Sequence, residues 1–238
     1  MRIFVAPSAL RAGELSVSGD EHHYLGRVRR ARVGDSVELV DGEGRRASAS
    51  IVRMTDGETT LSVGAPEEIL ATPPHITVLL PLIKGDRMDV ALEKLVEVGV
   101  DSILVWPAQR CVVKLEPDRR ASRMAKYEAA LAAAARQSGR AALPTVGWCD
   151  SLVLAISSAA NAETRLVLDP TSDTPLERAL TLGDRVAFVS GPEGGLAPSE
   201  IEELTLAGFV AVGLGPRVLR AETAPVAAVA IVRALTHS

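Results

Sequence analysis

Aromatic side chains are scarce, with Phe, Tyr and Trp together making up 3% of 238 residues. That excludes a core built on stacked rings and leaves Val, Leu, Ile and Ala to supply it. Cysteine is nearly absent as well. Cys111 and Cys149 are too few for a disulfide framework or a thiolate-rich metal cluster, and a reducing compartment is the simplest setting. The four histidines, His22, His23, His75 and His237, form no His-x-x-x-His pair, and no Cys-x-x-Cys occurs, so no metal site is expected. Long hydrophobic runs are missing. The apolar stretch near Met1 is too short for a signal peptide. The run from Ala224 to Val232 falls far short of the ~20 residues a membrane span needs. A cytoplasmic chain with no membrane partner is therefore expected. A net charge of −4 excludes a general basic coat but leaves room for local basic patches that could meet nucleic acid. Two phosphate motifs are absent: Gly-x-x-x-x-Gly-Lys-Ser/Thr and Gly-x-Gly-x-x-Gly. Their absence argues against a triphosphate or dinucleotide ligand.

What is present divides at Ala71-Thr72-Pro73-Pro74. Before it, a short strand from Ile3 to Val5 leads to Asp20, placed to cap a helix. Three short segments of β character follow, Ser36 to Val40, Ala47 to Met54 and Thr59 to Val63, separated by Gly-rich turns, a pattern that suggests a small barrel. After the break, strands and helices alternate. Apolar strands are expected at Ile76–Leu80, Ser102–Trp106, Thr145–Trp148, Arg165–Leu168, Val186–Val189 and Phe209–Val212. Helices are expected at Arg87–Val98, ended by Gly99, at Asp118–Gln137 and at Glu222–Leu235. This rhythm gives an α/β unit with a largely parallel sheet covered on both faces.

Two loops stand where strands of that sheet end. Gly191-Pro192-Glu193-Gly194-Gly195 follows Val186–Val189, and Leu214-Gly215-Pro216-Arg217-Val218-Leu219-Arg220-Ala221-Glu222-Thr223-Ala224 follows Phe209–Val212. Ligands of open α/β sheets bind at this edge. Glycines let the backbone approach a ligand closely. Tight structural turns use them too, but three charges just before a small-residue helix are more than a structural turn needs. With no pyrophosphate cradle, a nucleoside-type ligand held mainly by backbone groups fits best.

These segments carry a resemblance. With His22-His23, Val28-Arg29-Arg30, Gly34-Asp35, Lys84 to Asp89, Lys94 to Val100, Gln137-Ser138-Gly139-Arg140, Pro144 and Glu200-Ile201, they resemble the RsmE family over nearly the whole chain. That family comprises ribosomal small-subunit RNA uridine-N3 methyltransferases of the SPOUT superfamily. The resemblance implies a small N-terminal PUA-like β-barrel over residues 1–72 that helps bind RNA. It implies a SPOUT-type parallel sheet with a C-terminal trefoil knot over residues 73–238. It further implies S-adenosylmethionine as cofactor, 16S ribosomal RNA or the small ribosomal subunit as partner, and a homodimer contacting through the last helix. Gly-Pro-Glu-Gly-Gly alone also occurs in related ribose methyltransferases, so a ribose 2′-O enzyme of the same fold is an alternative. Those enzymes place an Asn in the final motif, where this chain has Arg220 to Ala224. A non-catalytic RNA-binding assembly factor is the other alternative.

Carried onto this chain, the family places Leu168, Gly191, Glu193, Gly194, Leu214, Gly215, Val218 and Leu219 around the cofactor. Arg220 is the candidate to stabilise the anion formed when uridine N3 loses its proton, or else a partner of Glu222 or Glu193. Glu222 is either the proton acceptor or a favourable charge at the start of the last helix. His22, His23, Arg27, Arg30, Arg110 and Arg140 are candidate RNA contacts. The chain departs from the family at four positions. Arg29 stands for the usual Leu, Ala221 for Thr, Ala197 for Ser or Thr, and Arg136 for a frequent acidic residue. Ala197 lacks a capping hydroxyl, at a cost of about 1 kcal/mol, although Pro198 suits the first helical position. Ala221 removes one hydroxyl next to the expected ligand.

Overall fold

A computed structural model describes residues 1–69, 72–181 and 183–236, so Ala71 of the expected break and His237 lie outside the described residues. The chain forms two compact units, residues 1–71 with 135–143, and residues 72–134 with 144–238. No change of sequence pattern marks 135–143 as part of the first unit.

The first unit holds one sheet of strands β1 (Arg2–Phe4), β2 (Gly13–Ser18), β3 (Ser36–Val40), β4 (Arg45–Met54), β5 (Glu58–Val63) and β6 (Glu67–Glu68). Their order is β1-β3-β4-β5-β2, with β6 on β4. Only β1 runs parallel to its neighbour. Apolar residues at every second position, Val37 and Leu39 on β3 and Ala47, Ala49 and Ile51 on β4, turn one face onto a core with Ile3, Val17 and Leu61. A register shift between Ile51 and Arg53 marks a β-bulge, and Val52 between them is exposed. β1 and β2 end the order, and among the described residues no pairing joins them into a hydrogen-bond-closed barrel. The alternating Leu15 and Val17 of β2 form a strand that the sequence reading passed over. Helix α1 (Gly19–His23) continues as a π-helical turn, Tyr24–Val28. Ser18 holds its cap position without a side-chain hydrogen bond, and Asp20 lies in the first turn rather than capping it.

The β3–β4 turn is organised by one carboxylate. Asp41, 6% exposed, accepts the backbone N–H of Glu43 at 2.8 Å and of Arg45 at 3.0 Å, and Arg45 Nε at 2.6 Å. Burial raises its pKa, but these donors together outweigh burial and hold the carboxyl below its ordinary value. The sign follows. The stability Asp41 contributes is complete above about pH 4 and is lost as pH falls through the lowered folded value. Asp41→Asn should cost about 2 kcal/mol at neutral pH, and the gap to the parent should narrow at pH ~3. Denaturant titrations at both pH values check this, and an equal gap at both would exclude the charge as its source.

Arg136 is accommodated in the same unit. Its Nη2 donates to Glu21 Oε1 at 2.8 Å, and its guanidinium lies 5.8 Å from the Phe4 ring centroid and 6.0 Å from that of Tyr24.

The second unit is built on six parallel strands: β7 (His75–Pro81), β8 (Ser102–Trp106), β9 (Thr145–Trp148), β10 (Thr164–Leu168), β11 (Arg185–Val189) and β12 (Val210–Val212), ordered β12-β10-β11-β7-β8-β9. Central strands covered on both faces should be apolar throughout, and Val186, Ala187, Phe188 and Val189 are each at most 1% exposed. The helices are α2 (Asp86–Val98), α3 (Pro117–Ser138), whose residues 135–138 belong to the first unit, α4 (Leu152–Ser158), α5 (Leu176–Ala179), α6 (Pro198–Leu206) and α7 (Ala224–Thr236). α2 buries Met88, Ala91, Leu92, Leu95 and Val96, one face at helical spacing, and ends at Gly99 with φ 102°. α7 buries Pro225, Ala228, Val229 and Val232. From it Arg233 donates to the carbonyls of Thr72, Pro74 and Gly99 and to Asp101 Oδ2, tying the last helix to the start of β7 and the end of α2. No helix among the described residues is long and apolar enough to cross a membrane.

The order of the sheet fixes where a ligand can go. The chain steps outward from β7 through β8 to β9, then returns to lay β10, β11 and β12 on the other side. At such a reversal the strands' C-terminal ends leave a crevice.

Candidate functional site

A cavity of about 630 Å³ lies at the C-terminal ends of β10, β11 and β12, within the usual size range of small-molecule sites. Each wall has a local cause. After β10, Asp169 Oδ1 accepts the backbone N–H of Thr171 at 2.8 Å and its hydroxyl at 2.7 Å, which turns the chain at Pro170. After β11, the Gly195 N–H donates to the Pro192 carbonyl at 2.8 Å, closing a turn. The turn is tight: a Cβ on Gly191 would lie 3.1 Å from the Leu196 nitrogen and 3.2 Å from the Gly195 Cα. Glu193 Oε1 accepts the Lys84 N–H at 3.1 Å, pinning this loop to the segment after β7.

The segment after β12 runs hard against the one after β10. Asp169 N–H donates to the Val212 carbonyl at 3.0 Å, Gly213 N–H to Thr174 at 2.8 Å, and the Ser172 hydroxyl to Ala211 at 2.9 Å. A Cβ on Gly213 would stand 2.5 Å from the Ser172 carbonyl oxygen, so only glycine fits.

The start of α6 explains how the chain tolerates Ala197. Glu200, 3% exposed, reaches back so that Oε2 accepts the Ala197 N–H at 2.7 Å, while Oε1 accepts the Gln109 N–H at 2.8 Å. The carboxylate half of a capping box is thus kept without the hydroxyl half, and it also anchors the 107–111 loop. Glu200→Ala would strand two amide donors and should lower stability by about 2 kcal/mol, read as a lower denaturation midpoint. An unchanged midpoint would show that water replaces the carboxylate. On that loop Cys111 is half-buried with its thiol donating to the Leu82 carbonyl, and burial pushes its pKa up to about 11, so it is no ready nucleophile.

Of the residues expected around a cofactor, Leu168, Gly191, Glu193, Leu214, Gly215, Val218 and Leu219 line the cavity, and Arg220 lines it too. Gly194 does not. It packs on Arg110, whose Cβ would be 3.0 Å from an added Cβ and whose Nη1 donates to the Gly194 carbonyl at 3.3 Å. Glu222 also stands off the wall. Its side chain is 11% exposed, and Oε1 is 3.9 Å from both Arg220 Nη1 and Arg87 Nε. Its Oε2 is buried without a partner among the described residues. Ala221 lines the cavity as well.

Ser190, Asp169 and Arg87 are among the lining residues that the sequence did not place at the site. Ser190, the first residue past β11, is 0% exposed, and its hydroxyl has no partner among the described residues. Asp169 shapes the β10 turn. Arg87 enters from the first turn of α2. Ser190 and Asp169 each directly follow an apolar strand, a signal that was available. Arg87 lies about a hundred residues upstream of the loops it faces, and no local pattern announces it.

The residues expected to touch RNA are spread over both units. In the first, His22 is engaged in the fold, Nδ1 hydrogen-bonding with Thr59 Oγ1 at 2.8 Å and Nε2 lying 3.2 Å from the Asp56 carbonyl. His23, Arg27 and Arg30 are exposed, Arg30 with φ 52°. Arg140 is half-buried after α3, its N–H donating to the Ala135 carbonyl at 3.0 Å. In the second unit, exposed Arg110 braces Gly194.

Known proteins share this arrangement. Residues 71–233 match the model of an RNA methyltransferase domain, and residues 17–63 that of an RNA methyltransferase PUA domain. A ribosomal RNA small subunit methyltransferase E from Mycobacterium bovis is 35% identical over 225 residues, covering 92% of this chain and 86% of that one. Its namesake from Bacillus subtilis is 28% identical over 230 residues, covering 93% and 90%. Among solved structures, the ribosomal RNA small subunit methyltransferase E of Neisseria gonorrhoeae bound to S-adenosyl methionine matches with TM-score 0.86 at 28% identity, over 98% of this chain and 97% of that one. A Legionella pneumophila methyltransferase in complex with SAM matches with TM-score 0.87 at 28% identity, over 98% and 97%. Coverage of both units, and of the three strand ends that make the cavity, leads to one conclusion: the chain belongs to the RNA methyltransferase family that includes the ribosomal RNA small subunit methyltransferase E proteins.

Proposed function

We propose that the protein transfers a methyl group from S-adenosylmethionine to N3 of a uridine in 16S ribosomal RNA. The observation that carries this is one cavity with two kinds of wall. Glycine-edged loops and the apolar Leu168, Leu214 and Leu219 form its interior, and Arg220, 74% exposed, stands at its rim. The interior suits the base and sugar of a nucleoside, and the hydroxyl of buried Ser190, unpartnered among the described residues, is a hydrogen-bonding group such a ligand would satisfy. Gly191, Leu214, Gly215, Val218 and Leu219 would hold the cofactor through backbone groups and apolar contact, with Glu193 bracing the loop from behind. When bound, the cofactor supplies a methyl group activated on a sulfonium.

The remaining chemistry falls to this chain. Uracil N3 carries a proton and attacks poorly until it loses it. A guanidinium beside the ring carbonyls stabilises the anion, and Arg220 fills that role. The open rim lets the proton leave to water. Exposed His23, Arg27 and Arg30 on the first unit and Arg110 on the second supply the cations and a stacking group that an RNA backbone and an unstacked base call for.

We propose that the segment after β12 is threaded as a trefoil knot, a reading supported by the close passage of Gly213 beside Ser172. On α7, Val226, Ala227, Ala230 and Ile231 remain partly open opposite its buried face, an apolar strip that a second copy would cover in a homodimer. A ribosomal substrate places the enzyme in the cytoplasm. Calorimetric titration with S-adenosylmethionine should show saturable binding, and no binding would leave only an RNA-binding role.

A further inference from the structure

The feature left unexplained is Glu222. A carboxylate 11% exposed, with one oxygen lacking any partner among the described residues, is costly unless something compensates it. Two guanidiniums stand beside its other oxygen, Arg87 Nε and Arg220 Nη1, both at 3.9 Å. They come from opposite ends of the unit's sequence, the first turn of α2 and the approach to α7. Both line the cavity, and Glu222 does not. Arg87 is 49% exposed and Arg220 74%, so each is open to a ligand.

We propose that Arg87 is a second cation of the acceptor site, acting with Arg220 on the two carbonyl oxygens of the target base, and that Glu222 is a positioning residue holding both guanidiniums at one end of the cavity. The proposal rests on the uridine-N3 reading above. Removing the N3 proton spreads negative charge over both flanking carbonyl oxygens, so two cations at one carboxylate match the product of that step better than one. The N3–H bond breaks, the proton goes to water, and the electron pair on N3 then forms the bond to the methyl carbon as the carbon–sulfur bond breaks. The pair also discriminates. Cytosine carries an amino donor where uracil carries O4, and a guanidinium facing that donor has nothing to accept its hydrogen. A sugar hydroxyl has no such pair of oxygens. Two guanidiniums could instead bind the carboxylate of the cofactor's amino acid end, and the experiment separates these two uses.

The test uses the full chain with small ribosomal subunits as acceptor, measuring kcat against pH alongside calorimetric affinity for S-adenosylmethionine. Arg87→Ala should lower kcat near neutral pH by about 30-fold and move the rising limb of the profile up by about one pH unit, because losing a neighbouring cation makes N3 harder to ionise. Cofactor affinity should stay within about threefold, and Arg87→Lys should recover part of the rate. A fall in cofactor affinity as large as the fall in kcat/KM assigns Arg87 to the cofactor and overturns the proposal, as does an unchanged rate. Glu222→Gln should keep the rising limb with a loss of about tenfold. Disappearance of that limb would make Glu222 the proton acceptor and overturn its positioning role. Parent protein that leaves uridine N3 unmethylated would refute the underlying reading instead, whatever the variants do.

Discussion

Arg220→Ala is expected to lose about 100- to 1,000-fold in turnover, the usual consequence of removing a donor aimed at developing negative charge. Its affinity for S-adenosylmethionine should change little. The separation follows from position. Arg220 lies at the rim, 74% exposed, while the interior is made by the glycine-edged loops and Leu168, Leu214 and Leu219. Arg220 is largely exposed and Arg87 stays 3.9 Å from the same Glu222 oxygen, so the carboxylate keeps a cation beside it and the variant should melt near the parent temperature. Single-turnover rates with saturating cofactor, set beside a binding isotherm, check the split. Collapse of cofactor affinity with normal turnover of the bound enzyme would move Arg220 from the acceptor to the donor.

Gly213→Ala should be the most damaging single-methyl change near the site. Its added carbon would stand 2.5 Å from the Ser172 carbonyl oxygen, a backbone atom in a segment held by the Ser172 N–H on the Asp169 carbonyl at 3.1 Å and by the Gly213 N–H on the Thr174 carbonyl at 2.8 Å. Something in the backbone must move, at a cost of about 3 kcal/mol. In a chain of this size that corresponds to a fall in Tm of roughly 6–12 °C. The movement falls on the two segments that carry Leu168 and Leu214, so cofactor affinity should drop with stability. Gly191→Ala, whose added carbon meets backbone at 3.1 Å, should show a milder version. Parent-like melting and binding in Gly213→Ala would mean that the two segments have slack.

The parts of this molecule legible in its sequence were those with local causes. The parallel sheet was visible because buried strands such as Val186 to Val189 must be apolar at every position. Gly99 showed the end of α2 because a helix closing in the left-handed region favours glycine. The two loops of the cavity were visible because their glycines follow those strands. What stayed hidden depends on distant partners. Strand β2 lacks a long apolar run and exists because it pairs with β5. Arg87 meets Glu222 across 135 positions of sequence, so no periodicity could join them. The missing hydroxyl at Ala197 read as a lost cap, but the Glu200 carboxylate retains half of that function. Arg136 read as a departure and is matched by Glu21 and two aromatic rings. Gly194 was placed at the ligand by its motif, whereas its close neighbour is Arg110.

The most direct measurement is to incubate the protein with small ribosomal subunits lacking the modification and methyl-labelled S-adenosylmethionine, digest the RNA, and separate the nucleosides. Methyl transfer to N3 places the label in 3-methyluridine, and Arg220→Ala removes it. Label on a ribose 2′-oxygen, or in no nucleoside while the cofactor still binds, would contradict uridine N3 as the acceptor.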